Sequence, residues 1–77
     1  MDLGRFDAAL AEFAAYETAL PGNPNTPFYK GLCLEKMGWR RQAAYEYMRY
    51  RNAAPSGEFS GYAAGRLTDW GYIKPRR

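Results

Sequence analysis

Histidine is absent from this chain of 77 residues, and cysteine occurs once, as Cys33. Without imidazole there is neither a histidine general base nor a Cys and His metal set, and a single thiol closes no internal disulfide. No Ser or Cys stands in a nucleophile motif, and no glycine-rich phosphate loop is present. The chain reads as a non-enzyme: no catalytic residue, cofactor, metal or small-molecule substrate is expected. Long apolar runs are missing too. None approaches the roughly 18 residues that span a bilayer, so no membrane span is expected. The opening MDLGRF lacks the basic and apolar regions of a signal peptide. As it stands the chain reads as cytoplasmic; a signal on a longer parent would make it periplasmic or envelope-bound. Charge of one sign is also scarce. The 11 basic and 8 acidic residues leave a net +3, an excess matched by Lys74, Arg76 and Arg77 at the C-terminus. A neutral body argues against nucleic acid as the partner.

What is present is aromatic and small. Rings make up 17% of the residues and apolar residues 47%, which places the chain with folded proteins rather than disordered ones. A chain of this length forms one domain and buries only about 60% of the surface its unfolded form exposes, so its margin of stability is thin. The rings and alanines are ordered. Gly4–Pro21, GRFDAALAEFAAYETALP, returns 34 residues later as Gly38–Pro55, GWRRQAAYEYMRYRNAAP. Under that shift Ala9 falls on Ala43, Glu12 on Glu46, Tyr16 on Tyr50 and Ala19 on Ala53, while Phe13 falls on Tyr47, Phe28 on Tyr62 and Gly31 on Gly65. Such a period, with small and aromatic residues at fixed offsets, marks a helical-hairpin repeat.

Apolar spacing of three and four places four helices. Residues 4–20 carry Phe6, Leu10, Phe13, Tyr16 and Leu20 on one side, with Asp2 as N-cap and Asp7, Glu12 and Glu17 on the wetter face. PGNPN at 21–25 stops this helix. Thr26 and Pro27 read as N-cap and first helical position of a second helix running to Met37. Phe28, Leu32 and Glu35 share one of its faces, Cys33 fits a tight crossing as inert core, Leu34 lies further round, and Gly38 caps the end. The third helix, Trp39 to Ala53, aligns Ala43, Tyr47 and Tyr50, with Ala44 and Met48 beside them, and turns Arg40, Arg41, Arg49 and Arg51 toward water. Ser56 is the expected N-cap of a fourth helix with the stripe Phe59, Ala63, Leu67 and Trp70. Gly71 closes it, and Pro75 prevents its resumption. Connections of a few residues favour antiparallel neighbours.

The repeat resembles the tetratricopeptide family. Gly31 and Gly65 match the family's small position in the first helix of a unit, Gly4 and Gly38 the turn between helices, and Ala9 and Ala43 the small residue of the second helix. Phe13 and Tyr47 match its aromatic, and Pro21 and Pro55 its terminating proline. The resemblance implies an all-α fold of stacked antiparallel hairpins in a right-handed superhelix of about four helices. Residues 4–21 would be the second helix of a first repeat, 24–55 a complete repeat, 56–72 the first helix of a third repeat or a cap, and 73–77 a tail. A start halfway through a unit is expected of a piece of a longer protein. Tyr16 and Tyr50 stand where the family usually has another small residue. That doubled aromatic is similar to the subclass found in bacterial envelope proteins, such as outer-membrane assembly lipoproteins and periplasmic division-coordinating proteins. RLTDWGY looks like the closing helix of repeat tails on bacterial zinc peptidases, although no HExxH is present.

The resemblance further implies a concave groove lined by first helices. Its wall would be Asn25, Phe28, Leu32, Glu35 and Lys36 from the second helix of this chain, with Phe59, Tyr62, Arg66, Asp69 and Trp70 from the fourth. Family members that clamp a C-terminal carboxylate use lysine and asparagine at several of these places. Phe28, Leu32 and Tyr62 here imply an apolar or aromatic peptide instead, or a neighbouring segment of a parent protein. The expected function is a non-catalytic protein-interaction or scaffold module. A plainer reading of Phe28, Phe59, Tyr62 and Trp70 is that they pack the second helix against the fourth. Glu12 and Glu46 read as surface charges, the usual fate of glutamate, and Trp39 as an exposed contact or a cover for the turn. Two other readings stand beside the groove: homo-oligomerisation through uncovered Phe6, Phe13 or Tyr16, and, more weakly, nucleic-acid binding by the arginines of the third helix and the tail.

Overall fold

A computed structural model describes residues 3–74, with side chains from residue 5 onward. The described chain is all-α: α1 (Leu3–Ala19), α2 (Asn25–Lys36), α3 (Arg40–Ala53) and α4 (Ser60–Asp69). Each helix packs on the next. The order of contacts is antiparallel, since Phe13 late in α1 stacks on Tyr29 early in α2 at 5.5 Å, and Phe28 early in α2 meets Tyr50 late in α3 at 5.4 Å. Among the described residues no helix is long and apolar enough to cross a membrane.

The core centres on α3. Tyr47 and Tyr50 are completely buried, as are Ala43, Ala63 and Leu67. A tyrosine can be buried at little cost only if its hydroxyl finds a partner. Tyr47 donates to Glu35 Oε1 at 2.6 Å, and Tyr50 accepts the backbone N–H of Phe59 at 2.9 Å. Gly31 lets α2 lie directly on the Tyr47 ring, for a Cβ there would stand 2.5 Å from Tyr47 Cε1. Phe28 then covers both tyrosines and stacks on Phe59 at 4.4 Å with the two ring planes nearly parallel. The buried face of α2 is therefore Phe28, Gly31 and Leu34 with Cys33, rather than a Phe28, Leu32, Glu35 stripe.

Helix ends differ from expectation where a side chain intervenes. α2 starts at Asn25 because Asn23 Oδ1 accepts the Asn25 N–H at 2.9 Å; Thr26, expected as the cap, is buried inside the helix. α4 starts at Ser60, four residues after the expected cap Ser56. The Tyr50 hydroxyl lies against Gly57, in the space a Cβ would need, and the chain turns there through Gly57 N–H to Ala54 O and Ser60 N–H to Gly57 O. Only after that turn can the helix begin.

The glycine stops behave as read. Gly38, at φ +83°, donates to Glu35 O while Trp39 N–H reaches back to Leu34 O; Gly71, at φ +84°, and Tyr72 repeat the pair on Thr68 and Leu67. This double bond closes a helix through a left-handed residue, for which glycine has no steric penalty. Gly4 lies within α1 instead of a turn, since no helix precedes it among the described residues and no reversal is made there. Trp39 is half exposed at the start of α3, and Met48 faces outward. The proposed Asp2 cap and the Pro75 stop lie outside the described residues.

Candidate functional site

Glu35, in the last turn of α2, is where three helices meet. Its Oε1 accepts from Tyr47 of α3 at 2.6 Å and from Tyr62 of α4 at 3.3 Å, and its Oε2 pairs with Arg66 of α4 at 3.1 Å. Arg66 also pairs with Asp69, one turn on, at 2.7 Å. Desolvation of the Tyr47 ring, reinforced by the neighbouring Glu35 carboxylate, raises the Tyr47 hydroxyl far above its ordinary value. Tyr62 is raised by the same two causes, burial first. Both phenols therefore keep their protons and hold the carboxylate in place as donors.

Trp70, just past α4, lies between two cations. Arg40 of α3 stands 5.6 Å from its ring centroid and Arg66 5.9 Å, while the ring stacks on Tyr47 at 6.0 Å. A guanidinium over an aromatic face is attracted by the ring quadrupole. The result is a cleft of about 220 Å³ lined by Glu35, Gly38, Arg40, Arg66 and Trp70.

Of the expected groove wall, the fold brings Glu35, Tyr62, Arg66, Asp69 and Trp70 together. Lys36 is exposed at the end of α2, Asn25 is half-buried at its start, and Leu32 packs partly against the core. Phe28 is turned into the core, while Phe59 is partly buried beside it. The two rings stack on each other, and Phe28 is only 4% exposed, because the close approach of α2 to α3 at Gly31 turns Phe28 inward. Arg40 is a wall residue that the family comparison of first helices misses, since it comes from α3. Its signal was the glycine two residues earlier, whose reversal lays the first turn of α3 beside the last turn of α2.

A second polar cluster joins α1, α2 and α3. Lys30 pairs with Glu17 at 2.9 Å and with Glu46 at 3.5 Å; Arg49 pairs with the same two carboxylates at 2.6 and 2.7 Å. Charges alternate around a closed ring. The Arg49 hydrogen bond foremost, aided by Lys30 and opposed by burial, holds the Glu17 carboxyl below its ordinary range. Glu46, expected at the surface, is 8% exposed, and Arg49, expected in water, is drawn inward by its two carboxylates. With every member paired, the ring is a staple between helices and offers no free acid or base. Glu12, the repeat counterpart of Glu46, is exposed. Cys33 is a buried free thiol whose desolvation pushes its ionisation up, so it stays protonated and unreactive.

A third feature is apolar: a cleft of about 340 Å³ between α1 and α2, lined by Glu12, Phe13, Tyr16, Asn23, Thr26 and Tyr29.

No known protein family, curated protein or solved structure matches this chain. The tetratricopeptide resemblance thus remains one of sequence pattern.

Proposed function

We propose that this chain is a non-catalytic protein-interaction module of tetratricopeptide type, which holds an extended peptide segment against the face shared by α2 and α4. The observation that carries the reading is Trp70, stacked on Tyr47 and approached by Arg40 and by Arg66, which Glu35 holds in place. Tyr62, Arg66 and Asp69 are held by hydrogen bonds or ion pairs and Trp70 by stacking on Tyr47, so little ordering of these side chains is needed on binding. An apolar or aromatic side chain of the peptide lies along Leu32, Tyr62 and the edge of Trp70, and Arg40 donates to peptide carbonyls. Arg66 is already committed to Glu35 and Asp69, which disfavours a clamp for a free carboxylate. Nucleic-acid binding gains nothing here, because Arg49 is taken up by Glu17 and Glu46.

The test is an NMR titration of the isotopically labelled protein with a set of aromatic and apolar peptides. Shifts should concentrate at Leu32, Tyr62, Arg66 and the Trp70 indole. Shifts confined to Arg41 and Arg51 on α3, or none with any peptide, would overturn the assignment.

A further inference from the structure

α1 and α4 each carry one half of a contact that α2 and α3 make in full. In the complete hairpin, α2 covers α3 in a defined way: the bare face of Gly31 meets Tyr47, and Phe28 lies over Tyr47 and Tyr50 at 5.7 and 5.4 Å. Shifted by one repeat, the covering residues Phe28 and Gly31 become Tyr62 and Gly65 on α4. Shifted the other way, the covered residues Tyr47 and Tyr50 become Phe13 and Tyr16 on α1. We propose that copies of this chain associate head to tail, Tyr62 and Gly65 on α4 of one copy covering Phe13 and Tyr16 on α1 of the next as Phe28 and Gly31 cover Tyr47 and Tyr50.

Both halves are open. A Cβ at Gly65 would meet nothing within 4 Å, so its bare face serves no close approach inside this chain, although glycine in a helix interior is unfavourable. Tyr62 is 46% exposed and Tyr16 45%. The cleft of about 340 Å³ beside Phe13 and Tyr16 is the repeat counterpart of the space that Phe28 fills beside Tyr47 and Tyr50. An occupant is therefore specified by the chain itself: a helix with an aromatic residue three positions before a glycine. Tyr62 and Gly65 on α4 have that spacing.

The receiving face is also set in advance. Asn23 reaches the Tyr16 hydroxyl at 3.5 Å, at the same offset by which Gly57 abuts the Tyr50 hydroxyl, so Tyr16 already leans on its turn as the buried Tyr50 does. The contact would be apolar. Where Lys30 of α2 pairs with Glu46, α4 has Ala64, and Glu12 stays at the rim. Because the two faces are unlike, the association is heterologous and propagates into rings or filaments instead of stopping at a twofold dimer.

Sedimentation of the whole chain from micromolar to millimolar concentration tests this. The mass should climb past that of a dimer. Gly65→Gln fills the bare face while improving helix propensity, so it should keep full helical circular dichroism yet weaken association about tenfold or more. Tyr16→Arg should do the same from the other face. Mixed, the two variants should form a one-to-one pair and nothing larger, since each retains one intact face. A wild-type chain monomeric at millimolar concentration, association unchanged in both variants, or no pair on mixing would each overturn the proposal. The peptide titration, repeated on the monomeric Gly65→Gln variant, reports on the α2–α4 cleft separately, so either reading can fail without the other.

Discussion

Phe13 and Tyr16 of α1 hold the same repeat places as Tyr47 and Tyr50 of α3, yet the second pair is wholly buried while Tyr16 is 45% exposed and borders an open cleft. Residue type is not the reason, since Tyr16 and Tyr50 are identical. The neighbours differ. α3 packs against α2 on one side and α4 on the other, whereas α1 packs along α2 and meets α3 through the Glu17–Arg49 ion pair. The glutamates beside them diverge in the same way, Glu46 inside an ion-pair ring and Glu12 in water. A ring at a repeat position is core or surface according to whether its covering helix is present.

The sharpest way to break this comparison is truncation of the rings. Tyr47→Ala removes a fully buried ring and a donor to Glu35, and should cost about 3–5 kcal/mol, a large part of the stability of a domain this small. Phe13→Ala should cost less than half as much in urea unfolding followed by circular dichroism. Equal losses would mean that the two units are packed alike.

Glycine offers a test of sign. Gly31→Ala drives a methyl into the immobile Tyr47 ring and should destabilise by about 1–3 kcal/mol. Gly65→Ala, one repeat on and in open space, should stabilise the monomer by up to about 1 kcal/mol through helix propensity. Thermal melts in the same direction would end the distinction between the covered and uncovered units.

Tyr47→Phe makes the complete unit identical to the first at this place. Loss of the hydrogen bond to the charged Glu35 should cost about 1–2 kcal/mol. It should also alter the alkaline limb. Because the folded Tyr47 hydroxyl is raised by burial and by Glu35, its contribution is complete below the ordinary tyrosine value of about 10 and is lost as pH rises beyond it. Urea midpoints above that pH should fall less steeply in Tyr47→Phe than in wild type.

Among the carboxylates, Glu46→Gln should cost about 1–2 kcal/mol by leaving Lys30 and Arg49 short of charge, and Glu12→Gln should change stability by no more than about 0.5 kcal/mol. The smallest expected effect is on the acid limb. The folded Glu17 carboxyl is depressed, chiefly by Arg49, so its stabilisation is present above the ordinary carboxylate range and is lost as pH drops below about 5. Glu17→Gln should flatten that loss, and an unchanged acid limb would show the ring to be inert.

Much of the architecture could be read along the chain. The helices of the complete unit, the Ala43, Tyr47, Tyr50 stripe and the stops at Gly38 and Gly71 depend on spacing and on the left-handed conformation of single residues. The candidate site was less legible. Glu35, Tyr62, Arg66 and Trp70 could be assigned to one face by helical register, but Phe28 was assigned there too. Its inward turn follows from Gly31 meeting a ring 16 residues later in the chain, and Arg40 enters the site from a different helix. The start of α4 was misplaced because the Tyr50 hydroxyl takes the Phe59 N–H.

By itself the sequence determined the helical repeat, its period and its glycine-closed helices, because propensity and capping act within a turn or two of backbone. Only the tertiary structure decided which rings are core, which carboxylates are paired and which faces stay open. Burial and Coulomb attraction act between side chains brought close in space, and at each repeat position that closeness depends on the helix lying across it.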